Sequence, residues 1–151
     1  MLYTPHAITG ATIAYFVPNP FVAIILSLVS HLFFDVFPHS NPNPIRSKGV
    51  GNLIILGEII IGTMVLIAYS YLLGGKFVNS NYAMTVMIIC GVTANLPDIL
   101  TGPYAMFRKN WLYSESIAKF QGLIQNHVKG SIGYTLQVLF MFALVYIAFF
   151  H

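Results

Sequence analysis

The apolar runs of this chain fix its class before any single residue does. Four of them, residues 20–37, 52–73, 82–100 and 131–150, approach or reach the roughly 20 residues that a helix needs to cross a hydrocarbon layer. Only 7% of the residues are charged against 57% hydrophobic, whereas soluble domains carry about a quarter charged. So little charge cannot solvate a globular surface, and the missing solvent must be lipid. The length fits one unit, residues 1–151 as a single membrane domain. The expected fold is all-α: an integral membrane bundle of four spanning helices, a short N-terminal half-helix and an interfacial amphipathic helix.

The ends of these runs carry stop and start signals. Pro20 opens the first and Pro38 closes it, and Gly74-Gly75 ends the second. A shorter apolar piece, residues 6–17, spans only about 18 Å as a helix and cannot cross alone. Pro18-Asn19-Pro20 marks a turn that folds it back on the first span. His6 lies thirteen residues before Asn19 (19 − 6) and His31 twelve after it (31 − 19). An antiparallel hairpin therefore brings both to one depth, and Gly10, Ala11 and Ala14 let its helices approach closely. Met1 to Pro5 carries no basic residue and no cleavage pattern follows, so the start reads as mature structure, not a signal peptide.

The connections are unequal in charge. Residues 38–51 carry Arg46 and Lys48; residues 101–130 carry Arg108, Lys109, Lys119 and Lys129 against Glu115 alone. The other side has Lys76. The positive-inside rule makes the first side cytoplasmic in a multi-pass protein of the cell inner membrane. Within the long link, residues 116–128 set Ile117, Phe120 and Ile124 on one side of a helix. That pattern predicts a helix lying at the interface, anchored by Tyr104, Trp111 and Tyr113. A net charge of +3 without a basic helix or aromatic platform excludes nucleic acid as a partner. Cys90, the single cysteine, forms no internal disulfide and reads as a small packing residue.

Three of the four acidic residues, Asp35, Glu58 and Asp98, fall inside or at the tips of the spans. An ionisable group inside a bilayer costs a few kcal/mol and marks a functional site unless it reaches headgroup water at a helix end. Here all three, with His6, His31 and His39, fall at ends that open on the same side. His31 and Asp35 are i and i+4, so both project from one helix face. They could hold one ion or simply share a hydrogen bond. Imidazole with carboxylate suits zinc, or manganese or iron if more oxygens join. Glu58 is a candidate for a second ion or a general base. Gln121 and Gln125, also i and i+4, could orient a ligand or substrate, as could His127, which otherwise reads as interfacial. No phosphate-binding loop, nucleophile elbow or C-x-x-C pattern is present.

The stretches Thr4-Pro5-His6-Ala7-Ile8-Thr9-Gly10-Ala11, Ser30-His31-x-x-x-Asp35-x-x-Pro38-His39 and Leu96-Pro97-Asp98 resemble the small membrane-bound, predicted metal-dependent hydrolases related to YdjM. The middle stretch is also similar to the zinc-binding segment of zinc-dependent phospholipase C. The resemblance implies His6, His31, Asp35 and Asp98 as metal ligands, with His39 close by. Members of that family carry one or two histidines near residues 119–126, where this chain has Gln121, Gly122 and Gln125. Either His127 substitutes, the metal set is reduced, or the activity is altered.

The expected function is a membrane-embedded metal-dependent hydrolase, a phosphoesterase acting on a lipid or lipid-linked headgroup at the cytoplasmic face. Asp98 and Glu58 would serve the chemistry. Arg46 and Lys48, with Arg108 and Lys109, would attract an anionic headgroup. The alternatives are a non-catalytic metal-stabilised membrane module and an ion- or proton-coupled transporter, whose site would lie nearer mid-bilayer.

Overall fold

A computed structural model of the chain describes residues 2–40, 50–107, 109–128 and 130–151. It is all-α. Seven helices follow in order: α1 (Tyr3–Phe16), α2 (Pro20–Asp35), α3 (Val50–Gly74), α4 (Ser80–Ala94), α5 (Leu96–Phe107), α6 (Ser114–Ile124) and α7 (Gly130–Phe150). Among the described residues the one β-type pairing outside helices is an isolated parallel bridge between His39 and His127.

Two helices, Asn52–Gly74 within α3 and Gly130–Phe150, are long and apolar enough to cross a membrane. A third crossing exists if α4 and α5, bent by 42° at their junction, count as one. α2 is apolar but has 16 residues, about 24 Å of helix. The third apolar run is thus not one straight helix. Pro97 has no N–H to offer Thr93, four residues back, and its ring crowds that carbonyl, so the helix turns there. Asn95 sits at the bend with its side-chain Nδ2 donating to the Gly91 carbonyl (2.9 Å).

α1, expected as a short flanking piece, is the centre of the bundle. Every residue from Thr4 to Thr12 is buried, against α2, α3, α4 and α7. Gly10, expected to let α1 approach α2, meets α2 through its carbonyl, which accepts from the Ser27 hydroxyl (3.5 Å), and also seats α1 on α4. A Cβ at Gly10 would collide with the Cys90 carbonyl, and one at Gly91 would lie 2.9 Å from the Ala7 carbonyl oxygen. Ala7, Ile8 and Ala11 then join Leu66, Tyr69, Leu73, Met87 and Ala148 in the apolar core.

α2 is inside-out by soluble standards. Phe21, Ile25, Val29 and Phe33, four apart, are exposed, while Ser27, Ser30, His31 and Asp35 are buried. An outward apolar stripe over an inward polar one is the arrangement a helix adopts when the surrounding solvent is hydrocarbon. Its N-terminus is capped by Asn19, whose Oδ1 accepts from the Phe21 and Val22 N–H groups.

The helix ends sort into two sets. At one, the Leu2 N–H donates to Gln137 of α7 (2.6 Å), and the Gln137 amide donates to the Ser40 carbonyl (2.8 Å). At the other, Lys76 Nζ donates to the last carbonyls of α7, Ala148 and Phe149, and Tyr15 meets Phe77 edge-on. α6 begins after Leu112 and Tyr113, both left-handed (φ 50° and 58°), and ends four residues earlier than its apolar pattern suggests. Residues 125–128 leave the helix because they pair with the segment after α2. His39 N–H donates to Asn126, and Val128 N–H donates to His39. Phe120 and Leu123 face outward, exposed.

Candidate metal centre

Three helices converge on one buried cluster. His6 comes from the first turns of α1, His31 and Asp35 from the last turns of α2, and Asp98 from the first turn of α5 just past the bend. His39 follows α2. His6, His31, Asp35 and His39 are fully buried, and the Asp98 side chain is 35% exposed.

The hairpin brings the His6 and His31 rings into a stack, centroids 4.1 Å apart at 22°. Asp35 reaches three imidazoles: Oδ1 lies 3.3 Å from His6 Nε2 and 3.8 Å from His39 Nε2, and Oδ2 lies 3.3 Å from His31 Nε2. Asp98 Oδ1 is 3.4 Å from His31 Nε2. From α6, Gln125 Nε2 donates to Asp35 Oδ2 (2.9 Å), and Gln121 Nε2 lies 3.0 Å from His31 Nε2 and 3.1 Å from Asp98 Oδ1.

The tautomers follow from these partners. A carbonyl oxygen only accepts, so His31 Nδ1, 2.7 Å from the Ala94 carbonyl, carries the proton, as does His39 Nδ1 against the Phe37 carbonyl (2.8 Å). The helix break supplies the first of these acceptors. In the neutral ring each Nε2 is then the lone-pair donor, the arrangement by which a backbone carbonyl orients a metal-binding imidazole. Burial lowers the His39 pKa from its usual value, which favours the neutral, ligating ring.

His6, His31 and Asp98 each offer a donor atom within 4.8 Å of the others, so this buried group could hold a metal ion. Donors bound to one ion at about 2.0–2.2 Å stand roughly 3.0–3.5 Å apart, the lower value in six-coordinate and the upper in four-coordinate geometry. The carboxylate–imidazole separations of 3.3, 3.3 and 3.4 Å lie in that range, whereas charge-assisted hydrogen bonds close to about 2.7–2.9 Å. His6 Nδ1 is buried without a hydrogen-bond partner among the described residues, and an ion held at Nε2 would leave it so. Two carboxylates, Asp35 and Asp98, meet these imidazoles, and a divalent cation would balance their charge. The residues present fit such an ion.

Other expected site residues lie elsewhere. Glu58 is part-buried on α3, and its Oε1 accepts from the Thr4 N–H (3.0 Å) and hydroxyl (2.7 Å) at the start of α1. His127 is exposed, its ring centroid 5.2 Å from that of His39. Arg46 and Lys48 lie outside the described residues, as do Arg108 and Lys129. Sequence reasoning did not single out Gln137, which ties Leu2 to Ser40, or the Ala94 carbonyl. A single glutamine in an apolar run is the signal that would have found the first; nothing local marks the second. No family model, curated protein or solved structure matches the chain.

Proposed function

We infer that this protein is a membrane-embedded metal-dependent hydrolase related to the YdjM-like family, cleaving a phosphoester in a lipid or lipid-linked headgroup. In this reading α2, α3, the α4–α5 pair and α7 are four spans around α1, and the cluster faces the cytoplasmic side of the inner membrane. The observation that carries it is the meeting of His6, His31 and Asp98 within the compass of one ion, with Asp98 partly open while the rest is sealed. Zinc is the ion named by the imidazole–carboxylate set, with manganese or iron as oxygen-rich alternatives. Such an ion supplies Lewis acidity and a bound water acidified towards neutral pH. The protein's own part is positional. Ala94 and Phe37 carbonyls fix the His31 and His39 rings, Gln125 holds Asp35, and the half-exposed Asp98 carboxylate lies where substrate enters and a proton can be accepted. Lys109, exposed just before α6, favours an anionic headgroup at this face.

The sealing of His6, His31, Asp35 and His39 favours one rival, a metal-stabilised module without turnover. Metal analysis of the purified protein, then of His31→Ala and Asp35→Ala, with turnover across a panel of lipid phosphates, separates the two. Bound metal lost in both variants together with metal-dependent cleavage supports the hydrolase. Metal retained by wild type with no cleavage of any lipid phosphate supports the module. Equal metal content in wild type and both variants refutes the ligand assignment.

A further inference from the structure

The amide of Gln121 occupies a place where either of its two ends has a use. Gln121 is 4% exposed and projects from α6 between two groups that the ion reading makes ligands. Its Nε2 is 3.0 Å from His31 Nε2 and 3.1 Å from Asp98 Oδ1. These separations belong to the same range as the carboxylate–imidazole spacings, roughly the 3.0 Å expected between neighbouring donors of a six-coordinate ion. A half-turn about the last side-chain bond exchanges the amide nitrogen for Oε1 at nearly the same point. Nitrogen inward, the group donates to His31 and Asp98; oxygen inward, it is a neutral oxygen donor beside them.

We propose that Gln121 is a ligand of the ion through Oε1, its amide turning from hydrogen-bond donor to metal donor as the cation binds. This deepens the metal reading and rests on it. Gln125 differs: its Nε2 contacts the single oxygen Asp35 Oδ2, so it stays a donor that positions that carboxylate. With Gln121 counted, oxygens from Asp35, Asp98 and Gln121 join the imidazoles of His6 and His31. That donor mixture suits manganese(II) or iron(II) better than a closed tetrahedral zinc site. α6 thereby becomes part of the centre.

The test is titration calorimetry of the detergent-solubilised 151-residue chain with manganese(II) and with zinc(II), for wild type, Gln121→Leu, Gln121→Ala and His31→Ala. X-ray absorption of the manganese-loaded protein counts its oxygen neighbours. If Oε1 is a ligand, both Gln121 variants bind manganese at least about tenfold more weakly, lose more for manganese than for zinc, and show one fewer light-atom neighbour. If the amide serves only as a donor, removing it frees His31 Nε2 and Asp98 Oδ1. Manganese then binds equally or more tightly, and the proposal is overturned. Two variants guard against a fold defect, which circular dichroism reports. Wild type that takes up neither metal, or His31→Ala that binds as wild type does, removes the metal reading itself and this inference with it. Loss in His31→Ala with unchanged Gln121 variants removes the inference alone.

Discussion

A carboxylate held in an apolar bundle needs donors close at hand, and Glu58 takes both of its from one residue. Thr4 offers its N–H and its hydroxyl at the first turn of α1, where unpaired N–H groups and the helix dipole favour an anion. Glu58 is thus a cap supplied from a neighbouring helix. Glu58→Ala is expected to lower stability by about 0.5–2 kcal/mol, the range of lost N-caps, with bound metal unchanged. Thermal unfolding in detergent and metal stoichiometry check this, and a variant that loses metal would return Glu58 to the centre. His39 permits a pH prediction. Its pKa is lowered in the fold by burial, so protonation favours the unfolded chain. Its contribution to stability is present above about 6.5, the ordinary imidazole value, and is lost as pH falls through the lower folded value. Stability of wild type should decline more steeply below that pH than stability of His39→Gln. Parallel curves would show that His39 is not the group responsible. Much of this residue scale was legible in sequence. The i, i+4 spacing put His31 and Asp35 on one face, and equal counts from Asn19 levelled His6 with them. What Glu58 and Gln121 touch was not legible, because it depends on the register of α3 against α1 and of α6 against α2, which no local pattern encodes.

Between elements, the tightest fit is α1 on α4. The Gly10 backbone abuts Cys90 and Gly91, and Gly91 in turn faces Ala7 and the Leu66 side chain. Only backbone lies within reach at Gly10, so no neighbour can swing aside. Gly10→Ala is expected to cost roughly 1–3 kcal/mol, as overpacking does. It should also weaken cation binding, since α1 carries His6 about one turn away. Gly102→Ala, where an added Cβ meets nothing within 4 Å, is the matched control. Equal stability of the two variants would show that the α1–α4 contact tolerates separation. The helices themselves were readable where their breaks are chemical, at Asn19 with Pro20 and at Gly74, but not at the end of α6, which a pairing with the segment after α2 sets. Two more features escaped. Hydropathy measures the length of α1 but not its neighbours, so a helix too short to cross looked peripheral when it is enclosed. Leu96-Pro97-Asp98 reads as the tail of a span, although Pro97 turns the chain and so frees the Ala94 carbonyl to orient His31.

At the level of the whole molecule, two layers of polar contacts sit at opposite ends of an apolar bundle. Leu2, Ser40, Glu58, Asp98 and Gln137 mark the end that holds the cluster, where α1, α3 and α7 begin and α2 and α4 finish. Lys76, Tyr15 and Phe77 mark the other, where α3 meets the last turn of α7. Such an order gives α1, α2, α3, α4 and α7 one end in each layer, and it makes sidedness measurable with two positions. Lys119 is exposed on α6, the helix that brings Gln121 to the cluster, and Val78 is fully exposed in the turn between α3 and α4. In a Cys90→Ser background, Lys119→Cys should react with a membrane-impermeant thiol reagent only when the cytoplasmic face is presented, as in inverted vesicles. Val78→Cys should react only in right-side-out vesicles or intact cells. Labelling of both from one side would mean that α3 does not cross. The reverse pattern would keep the bundle and put the cluster on the outer face, because five helix ends are locked to it and none can change sides alone.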